Sequence, residues 1–147
     1  MKCSPKSLLE VRDCCKVIVD TGIMTLIFKR FTDAKLTDRE RKIIDEIEPF
    51  IRLRKKLITP HILAETSHQI LKTRREIFSK SVELIKQYEE LNISANDIIS
   101  HKHIDQFGVA DIGISFILDK QACLLTIDGP LHHYFLSQGY KSVKYDL

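Results

Sequence analysis

Apolar residues run along this chain in two rhythms. Lys16-Val17-Ile18-Val19-Asp20 and Ala122-Cys123-Leu124-Leu125-Thr126-Ile127 are short, nearly continuous apolar runs. They are too uniform for half-exposed strands and read as parallel strands covered on both faces. Elsewhere apolar positions recur at helical spacing: Ile43, Ile44 and Ile47; Ile62, Leu63, Ile70 and Leu71; Phe78, Val82, Ile85 and Tyr88; Val109, Ile112, Phe116 and Ile117. These stripes predict helices from Thr37, from Pro60, over about Arg75–Leu91 and from Val109. An apolar helix is also predicted over Ile23–Phe31, after a turn at Thr21-Gly22.

Local signals set the boundaries. Thr37-Asp38-Arg39-Glu40 is a capping-box pattern, and Pro49 is expected to end or kink the helix it starts. Thr59-Pro60 combines an N-cap with proline at the first helical position, after a short extended Leu57-Ile58-Thr59. Pro130 opens a last helix through Leu136, closed by Gly139. Ser142–Leu147 alternates Val143, Tyr145 and Leu147 as an edge strand does. Pro5–Asp13 reads as a short helix, and Asn92–Phe107 as irregular, with Gly108 a turn. Strands alternating with helices predict one domain over residues 1–147, a three-layer α/β/α fold around a mostly parallel central sheet.

Composition narrows the class. The 147 residues are 44% hydrophobic and 29% charged, as expected of a globular protein. No segment approaches the roughly 20 apolar residues that span a bilayer, and no signal-peptide core is present. The expectation is a cytoplasmic protein with no membrane partner. Cys3, Cys14, Cys15 and Cys123 form no Cys-x-x-Cys pair and read as reduced thiols. His101-x-His103 and His132-His133 lack partners at zinc spacing. There is no nucleophile elbow, dinucleotide fingerprint or Walker lysine. Net charge is only +3, but Arg52, Arg54, Lys55 and Lys56 form one basic cluster and Lys72, Arg74 and Arg75 another. Such clusters suit a phosphate backbone.

Four carboxylates carry the chemistry. Asp20 and Asp128 each end an apolar strand, so a parallel sheet brings both to the same edge. Asp111 lies in the first turn of its helix, and Glu65 sits about one turn into the helix from Pro60. Singly, each has a plain reading as a helix cap, a first-turn acid or a solvated side chain. Gathered together they would repel one another, and a hard divalent cation such as Mg²⁺ or Mn²⁺ relieves such repulsion.

These segments resemble the PIN-domain nucleases. Val17-Ile18-Val19-Asp20-Thr21 is similar to the family's first motif, and Thr59-Pro60-His61-Ile62-Leu63-Ala64-Glu65 to its second. Phe107-Gly108-Val109-Ala110-Asp111 resembles the third and Leu125-Thr126-Ile127-Asp128 the fourth. The resemblance implies a Mg²⁺- or Mn²⁺-dependent endoribonuclease with Asp20, Glu65, Asp111 and Asp128 as its acidic site. Asp20, Asp111 and Asp128 would hold metal, and Glu65 a second metal or the attacking water. Thr21 and Thr126 are candidates to hydrogen-bond a carboxylate or a metal-bound water. Arg52, Arg54, Lys55, Lys72, Arg74 and Arg75 are candidate contacts to RNA. Many relatives are VapC-like toxins, usually homodimers inhibited by an antitoxin. The alternative is a non-catalytic module that keeps the fold and uses its acidic edge for binding or assembly.

Overall fold

The computed structural model describes residues 7–71 and 79–147. Five strands, β1 (Lys16–Val19), β2 (Lys55–Ile58), β3 (Glu89–Glu90), β4 (Ala122–Thr126) and β5 (Lys141–Lys144), form one sheet in the order β3-β2-β1-β4-β5. Every pairing among them is parallel. Lys16 stands beside both Lys55 and Ala122, and Thr126 stands beside Lys144. All five residues of β4 are buried. Because successive strand side chains point to opposite faces, that burial requires cover on both. The fold is therefore the expected α/β type.

The described helices are α1 (Thr21–Phe31), α2 (Asp38–Arg52), α3 (Pro60–Leu71), α4 (Val82–Ile85), α5 (Ala95–Ile99), α6 (Ile104–Ile117) and α7 (Gly129–Ser137). Among the described residues, no helix is long and apolar enough to cross a membrane. Helix α1 packs against α2 and α3, α3 against α6, and α6 against α7. Ile18, Ile23, Met24, Ile62, Ile114, Leu124 and Phe135, all essentially inaccessible, lie in the shared core.

Several elements differ from the sequence expectation, each for a local reason. Helix α1 begins at Thr21 because Asp20 caps it, so Thr21-Gly22 is its first turn and not a separate link. Both halves of the Thr37–Glu40 capping box form, at 3.1 and 3.0 Å. Helix α2 then continues through Pro49 to Arg52. Pro49 forfeits one backbone bond, but buried Phe50 and Ile51 anchor the last turn. Arg54 adds to that anchor, its guanidinium 3.5 Å over the Phe50 ring and 2.8 Å from the Phe50 carbonyl.

Much of the helix expected over Arg75–Leu91 lies outside the described residues. Its far end is only the single turn α4, and Glu89–Glu90 is instead an edge strand against β2. The stretch Asn92–Phe107 is not wholly irregular: it holds α5 and the first turn of α6. At the other edge β5 spans Lys141–Lys144, and the Tyr145 amide still reaches the Thr126 carbonyl at 2.8 Å. Of the expected N-terminal helix, the described part is a short 3₁₀ turn, Leu8–Val11.

Gly108 decides where the productive part of α6 begins. Its backbone sits at φ 81° and ψ 177° inside the helix, breaking it in two. That region is essentially reserved for glycine. The break makes Asp111 a first-turn residue of the second half. A β-carbon at 108 would meet nothing within 4 Å, so an added side chain strains the backbone alone. Gly108→Ala is expected to lower the unfolding free energy by about 1–3 kcal/mol, read from urea denaturation. An unchanged midpoint would show that the kink is not held in solution.

Candidate functional site

The sheet is parallel, so the residues that follow its strands share one edge, where ligands gather in open α/β sheets. Asp20 follows β1 and Asp128 follows β4. Each also caps the helix it introduces. Asp20 Oδ1 accepts from the Ile23 amide at 2.9 Å, and Asp128 Oδ1 accepts from the Leu131 amide at 2.8 Å. Capping and a place at the edge are thus one arrangement, not competing explanations.

Asp20 is the more rigid of the two. It is 5% exposed, and its Oδ2 accepts from the Ile127 amide at 3.1 Å and from the Thr126 hydroxyl. The same Thr126 oxygen accepts from the Asp128 amide at 2.9 Å. Thr126 therefore ties the two aspartates together. Burial raises the Asp20 pKa above the ordinary carboxylate value, three hydrogen bonds pull it back, and the Asp128 charge adds to the rise.

Asp111 and Glu65 arrive from α6 and α3, which pack together. Burial pushes the Asp111 pKa up to about 7, and the charges of Glu65, Asp128 and Asp20, in that order, add to it. All four carboxylates therefore lie within electrostatic reach. Among the described residues none of the four forms an ion pair with a basic side chain. Glu65 is exposed, at the open side of the group.

Two neighbours have unsatisfied polar atoms. Buried Thr21 Oγ1, at the start of α1, has no hydrogen-bond partner among the described residues. His61 Nδ1, one turn before Glu65, is buried against Gly113 and likewise unpartnered. Among the described residues no three Asp, Glu, His or Cys side chains are gathered tightly enough to hold an ion as they stand. The donor chemistry nevertheless fits a hard divalent cation: anionic oxygens that, among the described residues, no lysine or arginine pairs with. A bound cation would relieve the repulsion that raises Asp111.

Of the basic residues singled out in the sequence, Arg52, Arg54, Lys55 and Lys56 are not brought here. Lys55 and Lys56 open β2, level with the start of β1, four residues before Asp20. That is about 13 Å at the ~3.3 Å rise of a strand. Lys55 pairs with Glu89 at 2.5 Å. Arg54 donates to the carbonyls of Cys14, Phe50 and Arg12, each at 2.8 Å, and so clamps backbone. Arg52 and Lys56 line a cleft of about 250 Å³ that none of the four carboxylates touches. Lys72, Arg74 and Arg75 lie outside the described residues. Sequence reasoning missed Lys144, the last residue of β5, whose side chain lies against Gly129 next to Asp128.

The Asp111 shift has a sign that can be measured. A carboxyl whose folded pKa is raised holds its proton more firmly folded than unfolded. Its contribution to stability is full below the unfolded value of about 4 and is lost as pH rises through about 7. Without added metal, Asp111→Asn should melt above wild type at pH 8, the gap closing toward pH 5. A gap independent of pH would contradict the clustering.

Comparison with known proteins bears on the fold. No family model and no curated protein matches the chain. A solved structure does: a chain in the crystal structure of VapBC2 from Rickettsia felis bound to a DNA fragment from their promoter. The two share 16% identity with a TM-score of 0.54, over 89% of this chain and 99% of that one. A likeness at this identity is one of architecture, and it agrees with the parallel α/β sheet found here: the fold is PIN-like.

Proposed function

We propose that this chain is a Mg²⁺- or Mn²⁺-dependent endoribonuclease whose site is the edge formed by Asp20, Glu65, Asp111 and Asp128. The observation that carries the reading is that four carboxylates, none ion-paired among the described residues, lie within electrostatic reach of one another at the edge where β1 and β4 end. Asp20, Asp111 and Asp128 would hold the cation, with Glu65 at the open side for a second ion or for orienting water. A bound divalent cation supplies Lewis acidity at phosphorus and lowers the pKa of coordinated water. The chain's own residues do the positioning. Thr126, the Ile127 amide and the Ile23 amide fix Asp20.

RNA as substrate follows from the resemblance of the four motifs to PIN-domain nucleases. The same motifs, with the likeness to VapBC2, support a finer reading as the toxin of a toxin–antitoxin pair. In that reading the chain is a homodimer restrained by an antitoxin protein.

The test is cleavage of a mixed RNA pool with Mg²⁺ or Mn²⁺. Losing an outer-shell partner of a metal site costs about 10–100-fold, so Thr126→Val should lose activity in that range and Asp20→Asn should lose more. EDTA should abolish wild-type cleavage. A folded wild type that binds the metal yet cleaves nothing in the pool would favour the non-catalytic binding module. Cleavage that survives Asp20→Asn would move the chemistry elsewhere.

A further inference from the structure

An edge of four carboxylates repels a polyanion, so a nucleic-acid strand there needs a cation close to the acids but not among them. The basic clusters of the sequence do not supply one at this edge among the described residues. Lys144 does. It ends β5 opposite Thr126, whose hydroxyl holds Asp20. Its stem lies along the start of α7: Cε and Nζ are 3.5 and 4.0 Å from where a β-carbon on Gly129 would sit, and Gly129 directly follows Asp128. The ammonium thus lies by the start of α7, whose first residue follows Asp128 in the chain, and its side chain is 34% exposed.

What Lys144 holds is informative. Its Nζ is paired with the exposed Asp146 carboxylate at 2.6 Å. From the other side, Arg39 near the start of α2 donates to the Asp146 main-chain carbonyl at 2.5 Å. An oxyanion therefore already sits against Lys144, with a guanidinium near by. Exposed ion pairs of this kind are weak and exchange readily. A phosphate group, the stronger anion, fits the same position.

We propose that Lys144 is a substrate-binding residue that takes a backbone phosphate of a single-stranded RNA adjoining the bond held at the carboxylates, displacing Asp146. This rests on the nuclease reading for what happens at the carboxylates. The anion contact itself is measured separately.

The probe is a single-stranded 2′-O-methyl RNA oligonucleotide, titrated in EDTA without metal into the full chain over a range of salt concentrations. One phosphate contact to a single strand contributes about 0.7 to the slope of log affinity against log salt. Lys144→Gln should lower the slope by that amount and weaken binding about fivefold at 0.1 M salt. Lys144→Arg should restore both. Asp146→Asn should tighten binding, because a competing carboxylate is gone, which no merely structural role of Lys144 predicts. Equal slopes for wild type and Lys144→Gln, or no binding of the oligonucleotide by wild type, would overturn the proposal. Cleavage of ordinary RNA by wild type judges the nuclease reading independently, so the two can fail separately.

Discussion

The hydroxyl of Thr126 donates to Asp20 and accepts from the amide of Asp128. Through this one buried group, the ends of two neighbouring strands and the starts of two helices are held in fixed relation. Without it, Asp20 and Asp128 would still cap α1 and α7, but their separation would depend on two independent loops. The parallel sheet is what makes the link possible. In register, Val19 stands beside Leu125, so Asp20 and Thr126 leave the sheet together. A one-residue slip would turn the Thr126 side chain to the other face and dissolve the pair.

Around this link the fold gathers charges that repel. Asp20 is buried and Asp111 half-buried, and their pKa values rise for that reason first, with mutual repulsion adding to it. A core built only for stability would pair such groups with lysine or arginine, or omit them. Here Arg54 instead clamps backbone carbonyls, and Lys55 is paired with Glu89. The four acids remain available to a divalent ion, which unlike a side chain can be shared by them and by a phosphate.

The fold and the acidic edge were legible because they rest on local rules that tertiary contacts reinforce. Val17–Val19 and Ala122–Thr126 are continuous apolar runs because both faces of each strand are covered. Thr59-Pro60 and Thr37–Glu40 start helices as written, since a cap satisfies its own helix whatever surrounds it. Other features depend on position in space. Strand β3 was missed because it is two exposed glutamates, paired by backbone alone and without a side-chain pattern. The helix through Pro49 reflects burial of Phe50 and Ile51, which outweighs a proline signal. The basic run Arg52–Lys56 suits phosphate by composition, yet strand direction carries it away from the acids. Lys144, a single lysine on an edge strand, becomes noticeable only when its register with Thr126 is known.

The central claim is that these carboxylates form one cation site whose repulsion a metal relieves, and proton release tests it most directly. Asp111 titrates near pH 7, and metal binding requires it deprotonated. Calorimetric titration of Mn²⁺ in buffers of different ionisation enthalpy should show about half a proton released at pH 7. Release should vanish at pH 9 and in Asp111→Asn. Mn²⁺ binding with no proton release at pH 7, or no Mn²⁺ binding at millimolar concentrations, would contradict the account.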